Sequence, residues 1–259
     1  GDRLGFGGNI NLHSQFTNLW NSGGGINYNA RNFDDRMTRG GPGAYTLPNV
    51  NGWYYLNTND RQKGSFYWNF NFFRTSRSNG WAIEPGVAVR PTAALSVEFA
   101  HRFDRGLDDS QWVAEVIADD RPRYVFARLD QTTSSMTTRV NYTITPNLSV
   151  QVYAQPFVSS GNYTNYKELI DGRAARYDDR FAPYAYTGAP PDFKVLSFRT
   201  TNVMRWEYKP GSALYVVWQQ GRSGYQPYSN DSFHDNWSAL WGARPDNVFL
   251  VKLSYWFSP

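Results

Sequence analysis

The stretch Leu148-Ser149-Val150-Gln151-Val152-Tyr153-Ala154-Gln155 alternates apolar and less apolar side chains without a break. An alternation of period two places one set of side chains on one face of a β-strand and the other set on the opposite face. Segments of about ten residues with this pattern have the length that a tilted strand needs to cross a bilayer. The segment therefore predicts a strand with one lipid-facing side and one wet side.

The same pattern recurs along the chain and predicts an all-β, antiparallel fold in a single domain over residues 1–259. Thirteen strands are predicted, and an outer-membrane β-barrel is the architecture that such strands form. Their approximate ranges are 3–13, 19–32, 51–59, 64–74, 80–90, 94–103, 111–118, 123–131, 135–144, 148–157, 194–208, 212–220 and 247–257.

The predicted connections alternate between short turns and long polar segments. Short turns fall at 90–93, 145–147 and 209–211, and long connections at about 33–50, 158–193 and 221–246. Outer-membrane barrels have short periplasmic turns, long extracellular loops and an even number of strands. Because thirteen is odd, we expect the chain to be the C-terminal part of a longer polypeptide that forms a larger, even-stranded barrel.

The composition agrees with a transmembrane barrel and excludes other classes. Aromatic residues make up 17% of the 259 residues, yet the mean hydropathy is −0.61, as expected when one face of each strand meets lipid and the other a polar interior. No stretch approaches the roughly 18 apolar residues of a membrane helix. The net charge of +4 is scattered, which argues against a nucleic-acid partner.

Several segments resemble the DUF5916 family of outer-membrane proteins. They are Asp34-Asp35-Arg36 with Arg39-Gly40-Gly41-Pro42, then residues 124–133, 148–157, 205–212 and 247–257. The resemblance covers the chain from about residue 30 onward. It implies an outer-membrane location and a carbohydrate-binding-like β-sandwich preceding the barrel, whereas the biochemical function of the family is poorly defined.

Charged residues on strand faces opposite apolar rows are the candidates for lining the interior of the barrel. They are Glu84, Glu98, Arg102, Arg128, Asp130, Arg139, Arg199, Arg205, Glu207 and Lys252. Such residues set charge selectivity when they line an open pore. Alternatively, because both signs occur close together, they form a network of ion pairs that fills a closed interior.

A glycine-containing segment in the first long connection is the candidate for a constriction of the pore. Glycine permits positive φ and close backbone approach, so Arg39, Gly40 and Gly41 could fold into the interior with Arg39 reaching a carboxylate. The alternative is a tight turn that closes the loop.

Catalytic, metal and cofactor sites find little support in the sequence. The chain has three histidines and no cysteine, and no serine can be assigned to His101 or His13 from spacing alone, as a membrane-embedded hydrolase would need. No phosphate-binding glycine motif or Cys/His metal cluster is present. We therefore expect no enzyme activity, no metal and no cofactor.

The expected function is passage or binding of a solute across the bacterial outer membrane, with a carbohydrate as the solute that the resemblance implies. The alternative is a plugged scaffold that anchors a periplasmic or surface protein. The expected partners are outer-membrane lipid and the barrel assembly machinery, because Phe257 ends an alternating strand that is similar to the terminal strand this machinery recognises. A water-soluble β-sandwich or propeller is the rival architecture, but rows such as Phe66, Trp68, Phe70 and Phe72 would then need a second layer to cover them.

Overall fold

The computed structural model describes residues 5–228 and 233–257, most of which lie in β-strands. A 3-10 turn (Asp178–Arg180) and one helix, α1 (Phe233–Gly242), are also present. The strands are β1 (Gly7–Gln15), β2 (Asn21–Asn29), β3 (Phe33–Asp34), β4 (Ala44–Tyr45), β5 (Asn49–Asn57), β6 (Gly64–Arg74), β7 (Asn79–Thr92), β8 (Leu95–Ala118), β9 (Arg121–Thr145), β10 (Leu148–Leu169), β11 (Phe181–Pro183), β12 (Phe193–Lys209), β13 (Ser212–Gln226) and β14 (Pro245–Ser254).

One large antiparallel sheet follows the order of the chain, β1-β2-β5-β6-β7-β8-β9-β10-β12-β13-β14, and β11 pairs with β10 beside this path. The short strands β3 and β4 form a separate hairpin. These pairings confirm the all-β, antiparallel class that the alternation predicts. Within the described residues β1 and β14 are the two edges of the sheet, and no pairing between them closes it into a barrel.

The structure corrects the predicted number of strands. The predicted strands 94–103 and 111–118 are parts of the single strand β8, and 123–131 and 135–144 are parts of β9. The polar residues between the predicted strands suggested turns, but β8 and β9 stay paired through them, with register shifts after Asp108 and Trp112. A β-bulge absorbs an extra residue without ending the strand, which explains why a turn-like composition lies inside a ladder.

The two ends of the sheet differ in the length of their connections. At one end, the turn end, the strands are joined by residues 16–20, 58–63, 93–94, 146–147 and 210–211. At the other, the loop end, the connections are 30–48, 75–78, 119–120, 170–192 and 227–244. Both β1 and β14 run from the loop end to the turn end, so the two edge strands point in the same direction.

The sheet is curled about one of its faces. Residues opposite each other in the register project to the same side, and Trp53 of β5 and Phe157 of β10 project to one side and line a common cavity. Four strands separate β5 from β10, so a flat sheet could not bring these side chains together. We call this side the concave face and the opposite side the convex face.

The convex face exposes many large apolar side chains along most of the sheet. Val251 is 71% exposed and Leu12 70%. The others include Ile10, Ile26, Tyr28, Tyr54, Val87, Val89, Phe99, Tyr142, Trp206, Trp218, Phe249 and Leu253. Exposed apolar surface of this extent is unusual for a protein surrounded by water and indicates a surface that contacts protein or lipid.

The convex face changes polarity part-way along the longest strands. On β9 the convex-face positions from Ile144 to Met136 are mostly apolar, and those from Ser134 to Arg128 are polar. The apolar part, which we call the apolar band, spans about the nine to eleven residues of a transmembrane strand. Beyond the change, β8, β9 and β10 continue towards the loop end, where consecutive residues Val125, Phe126 and Ala127 are all buried, so both faces are covered there.

Helix α1 covers part of the convex face near the loop end. Its Leu240 is fully buried against Val158, Leu196 and Phe198, which project from β10 and β12. This contact removes apolar surface of β10 and β12 from solvent. Among the described residues no helix is long and apolar enough to span a membrane.

Candidate functional site

The concave face carries most of the charged residues that the sequence predicts for the interior. The register places these predicted interior residues on it: Glu84, Glu98, Arg102, Arg139, Arg199, Arg205, Glu207 and Lys252. All of them lie on strands β7 to β14, and we call the concave face of these strands the charged sector. The sequence alternation therefore places these side chains on a common face.

Two predicted interior residues, Arg128 and Asp130, lie on the convex face instead. Because β9 is one continuous strand, their even-numbered positions share a face with Met136 and Val140. When residues 123–131 are taken as an independent strand, the apolar residues Val125, Ala127 and Leu129 alone define its outer face, and Arg128 and Asp130 fall on the inner one. Asp130 lies 3.5 Å from Arg105 of β8, and both side chains are exposed beyond the apolar band.

Ion pairs connect many of the groups in the charged sector. Arg102 contacts Glu84 at 3.3 Å and Asp104 at 2.6 Å, and Arg205 contacts Glu207 at 2.7 Å. Mutual pairing of this kind lowers the cost of placing charges on a partly enclosed surface. These contacts favour a structural network in this part of the sector.

Other cations of the charged sector are not paired with carboxylates. Within the described residues Arg139, Arg199 and Lys252 have no acidic oxygen within 4.0 Å. Arg139 lies 5.4 Å from the ring centroid of Tyr153, and Lys252 lies 5.9 Å from that of Tyr215. Cation–π contacts leave the positive charge in place, so these residues give the sector a positive component.

The remaining concave face, on β1, β2, β5 and β6, has a different chemistry that the sequence analysis missed. We call it the amide sector. Its positions carry asparagine and glutamine and neither acidic residues nor Lys or Arg. The amides are Asn9, Asn11, Gln15, Asn21, Asn27, Asn29, Asn49, Asn51, Asn57, Asn69 and Asn71. Asparagine at every second position of neighbouring strands was the signal that could have revealed this sector.

Only some of these amides are satisfied by one another. Asn27 donates from Nδ2 to Oδ1 of Asn51 at 2.8 Å, and Asn29 donates to Asn49 at 3.0 Å. In the part of the chain that the structure describes, the side chains of Asn69 and Asn71 have no hydrogen-bond partner, and Asn71 is exposed. These groups are therefore available to a ligand or to water.

An aromatic platform lies among the amides. The rings of Trp53 and Tyr55 are parallel within 1°, with centroids 5.9 Å apart. Each covers a glycine of β2: a Cβ on Gly25 would lie 2.8 Å from Nε1 of Trp53, and one on Gly23 would lie 2.6 Å from the Tyr55 ring. His13 completes the platform through its Nδ1, 3.1 Å from the Tyr55 hydroxyl.

A cavity of about 780 Å³ lies where the two sectors meet. Asn51, Trp53 and Asn71 line it from the amide sector, and Arg102 and Asp104 line it from the charged sector. Its size is within the range of small-molecule sites, and such sites combine an apolar wall with a few directed polar groups.

The predicted constriction segment adopts a tight turn. Thr38 is buried and donates from Oγ1 to the carbonyl of Pro42 at 2.8 Å, and Arg39 and Gly40 have φ of 54° and 130°. Arg39 is exposed, and among the described residues no carboxylate lies within ion-pair distance of it. A role of Arg39, Gly40 and Gly41 in constricting a pore stays a prediction.

Comparison with known families agrees with the resemblance found in the sequence. The chain matches the family described as "Domain of unknown function (DUF5916)" over residues 2–258, which is nearly its whole length. The chain belongs to the DUF5916 family. No protein of curated function matches it.

The loop end of this DUF5916 chain is fastened by a buried polar cluster, the loop clasp, formed by Asp109, Lys167, Tyr177 and Arg180. Lys167 Nζ lies 2.7 Å from Asp109 Oδ2, and the Tyr177 hydroxyl donates to the same oxygen at 2.7 Å. Burial, together with the hydrogen bond to Asp109, raises the pKa of Tyr177 well above its usual value of 10.0. Tyr177 therefore stays neutral and keeps donating at any physiological pH.

Arg180 joins two distant loops of the DUF5916 chain. It is 1% exposed and donates to the carbonyl oxygens of Tyr45 at 2.7 Å and Ala174 at 2.9 Å. The backbone N–H of Tyr45 also donates to the carbonyl of Gly172 at 2.8 Å. The connection between β2 and β5 is thereby held against the connection between β10 and β12.

A histidine–serine pair lies on the convex face, which the sequence analysis could not find from spacing. Nε2 of His101 is 2.9 Å from Oγ of Ser134 on the neighbouring strand. Ser134 is only 5% exposed, and the backbone of both strands is committed to the ladder between β8 and β9. The pair therefore lacks both an accessible nucleophile and free backbone donors for an oxyanion. Among the described residues no group of three potential metal ligands is close enough to hold a metal ion.

Proposed function

We propose that this DUF5916 chain forms the wall of a transmembrane β-barrel in the bacterial outer membrane and that its concave face binds or passes a polar solute. The exposed apolar band of the convex face carries the proposal. The band has the length of a membrane-spanning strand and ends at Ser134, where the same face turns polar. Water would not accommodate such a surface, whereas hydrocarbon would.

A closed barrel requires strands beyond those of the observed sheet. Since β1 and β14 point in the same direction, direct pairing between them would be parallel. Antiparallel closure, as in other barrels of this class, requires an odd number of further strands between the two edges. All backbone groups of β1 and β14 would then be paired inside the membrane, as hydrocarbon demands.

The proposed partners are outer-membrane lipid along the apolar band and the barrel assembly machinery at the C-terminal strand. Phe257 is 77% exposed just beyond the end of β14. An exposed aromatic side chain at this position, here packed edge-on against Tyr255, supports recognition of the strand before the barrel is inserted. No catalytic step is assigned to the chain.

Conductance of the full chain in planar bilayers tests the passage of solute. We expect steady, ohmic current steps after insertion, since a polar interior holds water and ions. Protein that inserts into the bilayer and conducts no current would contradict passage.

The loop clasp favours a second candidate function, a plugged scaffold that anchors a periplasmic or surface protein. Its groups hold two loops together at one end of the sheet. In that case the wild-type protein would be silent, and Lys167→Ala, which leaves Asp109 without its cation, would open a current. Arg105→Ala is the matched control, because the Arg105–Asp130 pair is exposed on the convex face. A variant that stays silent after loss of the clasp would exclude these loops as the plug.

A further inference from the structure

The amide sector offers hydrogen bonds without charge. Each primary amide presents two donors and an acceptor oxygen, and the concave face of β1, β2, β5 and β6 carries His13 but no carboxylate, Lys or Arg. An ion gains little from such a surface, because it needs groups of opposite charge to offset the loss of its hydration shell. Hydroxyl groups, which donate and accept in the same way as amides, match it well.

The aromatic platform adds an apolar surface of defined orientation. Gly23 and Gly25 leave room for the Tyr55 and Trp53 rings to cover β2, and both rings are half-buried. One side of each ring therefore packs on the sheet, and the other is directed towards the concave interior. A ring with a polar edge and an apolar face suits ligands that have both kinds of surface.

The cavity brings the uncharged amides and the aromatic platform together. Asn51, Asn71 and the Trp53 ring line it, and the paired Arg102 and Asp104 lie on its opposite wall. Arg102 and Asp104 are paired, and the other charged residues of the lining, Arg105 and Asp108, are of opposite sign, so the cavity offers further directed donors and acceptors with balanced charge.

We infer that the amide sector and this cavity bind a neutral polyhydroxylated ligand, an oligosaccharide, through sugar faces stacked on Trp53 and hydroxyl groups bonded to Asn51 and Asn71. The inference rests on the proposed function, because it names the class of solute for the same concave face. The unpaired cations Arg139, Arg199 and Lys252 are not among the residues that line the cavity.

The test measures binding of maltohexaose and cellohexaose by calorimetry, using the full chain in a zwitterionic detergent that contains no sugar. Hexagalacturonate, of equal length but anionic, is the comparison ligand. We expect a neutral hexasaccharide to bind more tightly than the anionic one. Trp53→Ala should weaken that binding roughly tenfold, the effect of one lost aromatic contact, and Asn71→Asp should weaken it without disturbing the fold.

Matched controls lie on the convex face. Trp206→Ala removes an exposed indole from the apolar band, and Asn162→Asp adds a carboxylate beyond it, so neither should change binding. Far-ultraviolet circular dichroism and resistance to unfolding on a gel confirm that each variant is folded, and Trp53→Phe, which keeps a ring, should retain most of the affinity.

The outcomes separate this inference from the proposed function. Protein that conducts in bilayers but binds neither neutral hexasaccharide, or binds the anionic one equally well, overturns the inference alone. Unchanged affinity in Trp53→Ala overturns it as well. Protein that binds the neutral ligand but inserts into bilayers without conducting overturns solute passage and leaves the binding site in place. Protein that neither conducts nor binds overturns both the proposed passage and the binding site.

Discussion

The amide sector and the charged sector solve the same physical problem in different ways. Both keep the concave face of a sheet wettable while its convex face is apolar. The amide sector uses neutral groups that pair along neighbouring strands, as Asn27 does with Asn51, and glycines that let aromatic rings cover the sheet. The charged sector uses groups such as Arg102 that need counter-charges nearby. Neutral polar groups and charged groups therefore occupy different strands of one curved surface.

Packing of the aromatic platform gives the largest expected difference between the sectors. Gly25→Ala should lower the free energy of unfolding by about 1–3 kcal/mol, because the new methyl group would overlap Asn11 Oδ1 and the Trp53 ring. Gly106 of β8 is the matched glycine of the charged sector, where an added Cβ would have no heavy atom within 4 Å, and Gly106→Ala should change stability by less than about 0.5 kcal/mol. Urea titration in detergent measures both, and equal losses would show that the platform is not packed on β2.

Pairing between amides gives a smaller effect. Asn27→Ala should cost about 1 kcal/mol, because it removes the hydrogen bond to Asn51 and leaves that side chain without its donor. Asn69→Ala removes an amide that has no partner among the described residues and should have almost no effect. The same urea titration compares the two variants. A loss in Asn69→Ala as large as that in Asn27→Ala would mean that the amides act through solvation and not through pairing.

Loss of a cation from the charged sector should change stability less than the preceding variants do, and its main effect should be on ion preference. Arg102 is 39% exposed, so Arg102→Ala should cost no more than about 1 kcal/mol. It would leave Glu84 and Asp104 without their cation and shift the reversal potential in a salt gradient towards cation preference. Asn71→Ala, across the cavity, should leave the reversal potential unchanged. An equal shift of the reversal potential in both variants would show that the two sectors do not differ in their effect on ion preference.

The sequence predicts the class of the fold and most strand positions because alternation survives wherever one face of a strand is apolar. It fails within β8 and β9, where polar residues suggest turns but bulges keep the ladder intact. The same failure misplaces Arg128 and Asp130, since the face of a residue depends on counting through an unbroken strand. The change from apolar to polar residues on one face of β9 can be recognised only once the strand is known to be continuous.

The candidate site could be predicted only in part. The charges of the charged sector follow from alternation, whereas the amide sector needed the register between strands, which brings Asn27 opposite Asn51 and Gly25 beneath Trp53. The loop clasp was beyond sequence reasoning, because Asp109 and Tyr177 are distant in the chain and meet only in the fold. Contacts of this kind depend on tertiary structure rather than on local pattern.

Single-cysteine labelling along β9 tests most directly whether the convex face meets hydrocarbon. The chain has no native cysteine, so each variant carries one thiol. In liposomes, a water-soluble maleimide should react slowly with Met136→Cys and Val140→Cys. It should react rapidly with Arg128→Cys and Asp130→Cys on the same face and with Arg139→Cys in the interior. Rapid reaction at positions 136 and 140, equal to that at 139, would show that water covers the convex face and would contradict the account.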